Sequence, residues 1–521
     1  MKIALAQLNY TIGDIDGNTS KIIDSINKAK AQRADLVIFA EQAVSGTPAF
    51  DLLRKTTFLE LCEDALVEIA SCCDGIAAIV GLPILTREGT ISAAALIQDR
   101  KVLRYVGKKY ITARREMGFL VPSKGFEYAT IKGHKCAIIV GDDLSREHDF
   151  DKSVETVISI NARKYGRGTM TYRYEMMRHL SFVEGKNLVL VNQVGGSTDI
   201  VYDGTSGAFN NRGELVLMMK QFEEDFQIFD TKAQNPPVGV PSTYNDRTRM
   251  VYQAARCGLR DFFLKNGYKK ACIGLSGGID SAVVACLAAG NVRALLLPSQ
   301  FSSDHSVEDA KKLAENLGIE YNVIPITEIY TSVVNTLKPV IGGREFDATE
   351  ENIQTRIRTV LLMAVQNKTD YILLNSSNKS ENALGLCTLY GDTAGAFSPT
   401  GDLYKSEMYD VARYINRTFG NVIPENILDK EPSSELHPGQ KDSDILPPYE
   451  VVDAILLRMI EEGQHREEIV NAGFDSEVVE KIHCMIMRNE KKRYQFPPVL
   501  RLSMCSFGHE RLMPLTNKYG D

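Results

Sequence analysis

The chain has 521 residues, too many for one hydrophobic core, so at least two domains are expected. Its hydrophobic content of 44% and charged content of 24% are those of an ordinary globular protein, and a net charge of −7 leaves no electrostatic footprint for a nucleic-acid partner. Ten cysteines lie scattered with no Cys-x-x-Cys pair, which argues against a zinc site and against a disulfide framework.

The opening MKIALAQLNY reads as a strand running into polar residues, not as a signal peptide. No stretch approaches the ~18 apolar residues of a membrane span, so no membrane partner is expected and the cytoplasm is the expected location. Strands are expected at Lys2–Gln7, Asp35–Phe39, Ala77–Gly81, Ala93–Gln98, Cys136–Val140, Thr156–Ile160 and Leu188–Val191, with hairpin-like runs at Ser206–Phe209 and Leu215–Met219. Helical stretches separate the earlier ones, a pattern that argues for a layered α/β domain. Between Asp230 and Thr243 the run DTKAQNPPVGVPST is rich in Pro, Gly and polar residues and reads as an inter-domain linker. The expected domains are therefore 1–235 and 236–521. A helix is expected from about Asp246 to Lys265. Strands then follow at Lys270–Leu275, Ala294–Leu297, Tyr321–Pro325 and Ile372–Leu374, alternating with helical runs, as in a doubly wound parallel sheet.

The first of these strands runs directly into Ser276-Gly277-Gly278-Ile279-Asp280-Ser281, and a helix is expected over Ala282–Ala289. A strand, a loop of small residues and a helix N-terminus together make an anion cradle, where backbone N–H groups and the helix dipole favour phosphate. Gly277 and Gly278 allow close backbone approach, and Ser276 and Ser281 offer hydroxyls. Asp280 would repel a bare phosphate, so its expected task is to hold Mg²⁺. Taken alone, a Ser-Gly-Gly is as often a simple turn before a helix. The loop has neither the GxxxxGK[ST] pattern nor the GxGxxG pattern.

SGGIDS resembles the pyrophosphate loop of enzymes that cleave ATP to AMP and pyrophosphate. Ordered blocks follow it: LLLPSQFSSDHS, ATEENIQTRIRTVLLM, SNKSE, LYGDTAGAFSP, GDLYKSEMY, PSSELHPGQKDSD and NEKKRYQFPP. Together they resemble NAD synthetase over essentially all of residues 245–521. The resemblance implies a Rossmann-like ATP pyrophosphatase domain that adenylates the nicotinate carboxylate of deamido-NAD and then amidates it, with ATP, deamido-NAD and ammonia as small-molecule partners. It implies Asp280 and Glu381 as Mg²⁺ ligands, and Ser276, Gly277, Gly278, Ser281, Lys405 and Ser433 around the phosphates. Arg356, Asn378, Glu381, Asp392 and Lys492 are implied on the substrate side, with Asp280, Glu381, Lys405 and Asp392 carrying the chemistry. A homo-oligomer is also implied. Asn375-Ser376-Ser377 stands where the family has Thr-Thr-Gly, which touches on the identity of the acid substrate.

In the first half, ALAQLNYTIGDIDGN, FAEQAVSGTPAFDLL, VGLP, VGKKYI, VNQVGG and YDGTSGAF resemble the nitrilase-like glutaminase domain fused to many NAD synthetases, an α-β-β-α sandwich. That family cuts glutamine with a Glu–Lys–Cys triad, in which a thiolate attacks the amide. Glu41 and Lys108 fall on the first two positions. The third falls on Gly141, at the head of Gly141-Asp142-Asp143 where the family has Cys-Glu-Asp, and glycine carries no nucleophile. Cys62-Glu63-Asp64 repeats the motif's letters, but FLELCEDALVEIA has helical spacing and is a decoy. Cys136 lies five residues before Gly141 and reads as a core residue. The segment after Lys108 is the shorter ITARREMGF, and Asn161-Ala162-Arg163-Lys164 replaces an Asn-Ala-Ser-Pro pattern. Several departures together indicate natural erosion of the triad, leaving Glu41 and Lys108 as a buried structural pair. The expected function is an NAD synthetase fed by free ammonia. The alternatives are a glutamine-dependent enzyme with a displaced nucleophile, an amide ligase for another acid, and a non-catalytic assembly protein.

Overall fold

Alternating side chains on three adjacent strands explain the architecture of the first half. Ile138, Val140, Ile158, Ile160, Val189 and Val191 point into one buried cluster, while Ala137, Ile139, Val157, Leu188 and Leu190 point into another. A strand buried on both faces must be covered on both faces. One cover is a second sheet and the other is the helix Thr169–Glu184, whose Tyr174 and Met177 join the outer cluster.

In the computed structural model, which describes residues 1–146, 148–233, 235–244, 246–342 and 344–518, the chain divides into two units, Met1–Asp246 and Arg247–Asp521. The first unit holds two six-stranded sheets. One runs Asp225–Asp230, Lys2–Gln7, Leu36–Ile38, Ala77–Leu85, Thr90–Gln98 and Lys101–Gly107 in spatial order; the other runs Leu215–Met218, Gly207–Phe209, Asn187–Asn192, Thr156–Asn161, His134–Val140 and Glu127–Ile131. Helices Ile15–Ala31 and Thr56–Ser71 cover the first sheet with Ile22, Ile26, Leu59, Leu66 and Ile69. These layers form the α-β-β-α sandwich expected of this half. Cys62 lies inside the helix Thr56–Ser71 and is fully buried, and Cys136 is buried in the strand His134–Val140.

The second unit is built on four parallel strands in the order Tyr321–Val323, Val292–Leu296, Ala271–Gly274 and Ile372–Leu373. The chain turns back between the last two, so a crevice opens at the carboxyl ends of Ala271–Gly274 and Ile372–Leu373, where doubly wound sheets bind ligands. A separate apolar cluster joins helices Tyr449–Ile460 and Ser476–Arg488 to Ala383 and Leu384 of the short helix Lys379–Leu384. That short helix is therefore bedded on packing outside the sheet. No helix among the described residues is long and apolar enough to cross a membrane.

Candidate active site

The helix after the Gly-rich loop begins at Ile279 and runs to Leu287, three residues earlier than its sequence suggests, because extended Gly278 caps it. Asp280 and Ser281 thus stand in its first turn. Gly277 has φ +80°, and a β-carbon there would lie 2.2 Å from the backbone oxygen of Ser306. Only glycine meets both demands. The loop is preset by its own hydroxyls: Ser281 Oγ accepts from the Ser276 N–H at 3.2 Å and donates to the Gly278 carbonyl at 3.1 Å, while Ser276 Oγ accepts from the Gly278 N–H at 3.2 Å.

This loop forms one wall of a cavity of about 310 Å³, within the range of small-molecule sites. Asp280, Glu381, Asp392, Lys405 and Ser433 line it together with the loop. Lys405 opens the helix Lys405–Phe419, and its Nζ lies 2.6 Å from Asp280 Oδ2 and 3.3 Å from Glu381 Oε1. Burial opposes the Lys405 charge, but the two carboxylates outweigh it and hold the ammonium well above the usual lysine range. Burial pushes Glu381 up, and neighbouring Asp280 adds to this against the pull of Lys405. One lysine thus faces two carboxylates. Hard oxygen donors in excess of their counter-charge suit a divalent cation such as Mg²⁺.

Asn378 is buried and works from behind the cavity. Its Nδ2 donates to Asp280 Oδ1 at 3.0 Å, and its Oδ1 caps the Glu381 N–H at 2.9 Å. Asp392 Oδ1 accepts from the Thr388 N–H at 2.7 Å, and burial pushes its carboxyl up to about 6 against the charges of Lys492 and Arg358. Asn375, in the departure from Thr-Thr-Gly, donates to the carbonyls of Asp392 and Ala394 and so braces this loop from below.

Two expected residues, Arg356 and Lys492, lie outside the cavity lining, and a third, Ser433, lines it with its hydroxyl already engaged. Arg356 is exposed on the helix Ala348–Thr369 and donates to the Leu389 carbonyl; Arg358, two residues on, lines the cavity instead. Lys492 donates to the carbonyls of Gly385 at 2.6 Å and Cys387 at 2.8 Å, closing the end of the helix Lys379–Leu384. Ser433 Oγ donates to Gln440 O within its own loop.

Several residues matter more to the site than their sequence context suggests. Lys379 is fully buried, with Nζ 3.1 Å from Asp402 Oδ1 and 2.9 Å from Glu461 Oε1. It sits inside SNKSE, so the block itself held the signal. Glu435 accepts from Ser303, Ser306 and Lys430 and draws its loop to the helix Asp304–Leu317. Arg358 gave no signal beyond lying two residues from Arg356 on the same helix.

In the first unit, Glu41, Lys108 and Gly141 converge. Lys108 Nζ lies 3.3 Å from Glu41 Oε1, 2.8 Å from Glu116 Oε2 and 3.7 Å from Asp142 Oδ2. Gly141 ends the strand His134–Val140 with φ +58°, and a β-carbon on it would lie 2.7 Å from Glu41 Oε2 and 2.9 Å from Lys108 Nζ. Ser92 Oγ donates to Glu41 at 2.8 Å. Burial pushes Glu41 up, and opposes the Lys108 charge less than Glu41, Glu116 and Asp142 support it. Asp142 is held below the ordinary range, because Lys108, Thr112 and Arg163 outweigh its burial. The thiols of Cys62 and Cys136 are pushed up to about 12 by burial, the opposite of an activated thiolate.

The family model described as NAD synthase matches residues 251–496. The chain is 37% identical to the glutamine-dependent NAD(+) synthetase of Acinetobacter baylyi, over 99% of this chain and 98% of the relative. It is 35% identical to the protein of that name from Thermotoga maritima, over 100% and 99%. Among solved structures, the glutamine-dependent NAD+ synthetase from Acinetobacter baumannii in complex with ADP is similar at a TM-score of 0.76 and 34% identity, covering 99% of this chain and 98% of that one. One from Cytophaga hutchinsonii, 19% identical, shares the fold at a TM-score of 0.87, covering 99% of this chain and 98% of that one.

Proposed function

Since this chain belongs to the NAD synthetase family, whose members are ATP-using ligases that form carbon–nitrogen bonds, we propose that it amidates deamido-NAD with ammonia taken from solution. Synthesis of NAD is the family's reaction. The source of nitrogen is our own reading, and one observation carries it: the corner beside Glu41 and Lys108 is Gly141, which has no side chain to attack an amide.

The roles in the second unit follow from charge. The loop Ser276–Ser281 and the N-terminus of the helix Ile279–Leu287 receive the phosphates of ATP, with Ser433 facing them across the cavity. Lys405 stands where negative charge grows as pyrophosphate departs. Asp280 and Glu381 would hold Mg²⁺, which when bound neutralises phosphate oxygens and polarises the reacting phosphoryl group. Asn378 keeps Asp280 and the Glu381 backbone in register. Asp392, a buried carboxylate beside the reacting end, orients the incoming nitrogen, and Arg358 and Lys492 balance its charge. Arg356 reaches the nicotinate side of the substrate only if its contact with Leu389 is exchanged.

Glutamine dependence is the second reading, and the names of the full-length relatives favour it. One experiment separates the two. The purified chain is given deamido-NAD, ATP and Mg²⁺, with either ammonium or ammonia-free glutamine, and NAD is measured. NAD is expected with ammonium alone. Turnover on glutamine would overturn our reading of the nitrogen source.

A further inference from the structure

We propose that Asp453, on the helix Tyr449–Ile460, is a positioning residue that sets the height of Lys405 against the Asp280–Glu381 pair. Asp453 is an anomaly on its helix. Val452, Ile455, Leu456 and Ile460 around it belong to an apolar cluster, and Asp453 itself is buried. A buried carboxylate is costly unless every oxygen is satisfied. Here each oxygen has a partner on a different element. Oδ1 accepts the hydroxyl of Ser380, and Oδ2 accepts the backbone N–H of Ser406 at 2.8 Å. The Ser380 hydroxyl oxygen in turn accepts the backbone N–H of Lys405 at 2.9 Å.

These bonds tie two helix starts together. Ser380 lies one residue before Glu381 in the first turn of Lys379–Leu384, and Ser406 lies one residue after Lys405 in the first turn of Lys405–Phe419. The helix carrying Glu381 has six residues and cannot hold its own position by length. A negative group at the start of the helix carrying Lys405 is also favoured by that helix's dipole. The carboxylate therefore fixes the offset between two backbones whose side chains must meet 3.3 Å apart. Moving either backbone by a fraction of that distance would change the Lys405–Glu381 contact, and with it the place of the ammonium beside Asp280.

This inference rests on the reading of Asp280, Glu381 and Lys405 as the adenylating group, so the test includes Asp280→Ala. Full-length Asp453→Asn, Ser380→Ala, the double variant and Asp280→Ala are compared in steady-state pyrophosphate release from ATP with deamido-NAD, ammonium and Mg²⁺, with thermal melting alongside. Asp453→Asn is expected to lower kcat about tenfold or more, with the KM for ATP within about threefold of the parent. Ser380→Ala is expected to lose part of this, and the double variant to be no worse than Asp453→Asn, because both break one chain of bonds. A kcat for Asp453→Asn within about twofold of the parent, or losses that multiply in the double variant, overturns the proposal. If Asp453→Asn does not fold, Ser380→Ala decides alone: an unchanged kcat overturns the proposal, and a drop of about threefold or more at an unchanged melting point upholds it. An active Asp280→Ala would instead overturn the reading of the site.

Discussion

Glu41 Oε2 stands 2.7 Å from the point where a β-carbon on Gly141 would begin. The corner is closed as well as bare. Lys108 Nζ is already shared among Glu41, Glu116 and Asp142, and Gly141 has the left-handed φ of +58° that costs other residues about 1–2 kcal/mol. Gly141→Cys is therefore expected to destabilise the first unit by about that amount, seen as a lower melting point. Its glutamine-supported rate is expected to stay at least about a hundredfold below the ammonium-supported rate, because the base and the lysine are engaged elsewhere. Glutamate release from glutamine measures this directly. A variant that hydrolyses glutamine well where the parent does not would mean that a single side chain, and no wider erosion, makes the difference.

Gly277 admits no side chain. The obstacle at 2.2 Å is the backbone oxygen of Ser306, which cannot rotate away, and φ is +80°. Gly277→Ala should push the loop off its cradle, raising the KM for ATP about tenfold or more while unfolding by heat changes by only a few degrees. ATP titration against the parent checks this. An unchanged KM would remove the loop from phosphate binding.

Asp392 supplies a pH signature. Burial pushes its carboxyl up to about 6 although Lys492 and Arg358 pull the other way, so it carries charge only above about that pH. If the charged form orients ammonia, kcat/KM on a free-ammonia basis should fall as pH drops through about 6. Asp392→Asn should be at least about tenfold slower and lack that limb. An identical limb in the variant would assign it to another group.

Asp402 works in the opposite direction. It is fully buried and accepts from Leu502 N–H, Ser503 N–H and Ser506 Oγ at 2.8, 2.7 and 2.8 Å. Burial alone would raise its carboxyl, but Lys379 and these donors hold it down at about 2. A depressed carboxyl contributes stability that is whole above its ordinary value near 4 and is lost as pH falls through about 2. The contribution is on the order of 2 kcal/mol. Urea unfolding from pH 6 to 2.5 should show the parent losing stability across that window. Asp402→Asn should start lower, since it leaves Lys379 less compensated, and should vary less with pH. Parallel curves for parent and variant would sink this account.

What could be read along the chain was whatever is local. The fold class followed from strands such as Cys136–Val140, whose apolar residues are contiguous. The loop was legible because its demands close within six residues: two glycines, two hydroxyls and a helix start. Even there the helix starts three residues before the run Ala282–Ala289 suggests, since Gly278 caps through its extended backbone and not through a side chain.

The sequence by itself determined which chemical groups the chain possesses: a Gly-rich loop with two hydroxyls, carboxylates, a lysine, and a glycine at position 141. Only the tertiary structure decided which of them meet. Asp280, Glu381 and Lys405 come together because the sheet order brings the ends of Ala271–Gly274 and Ile372–Leu373 side by side. Arg358 rather than Arg356 lines the cavity because two helical steps turn a side chain to another face. Asp453 gave no sign in its own stretch, YEVVDAILL, because the partners that satisfy its carboxylate, Ser380 and Ser406, lie on two other helices. Residue identity is written in the chain, but a buried charge acquires its role from neighbours that only folding supplies.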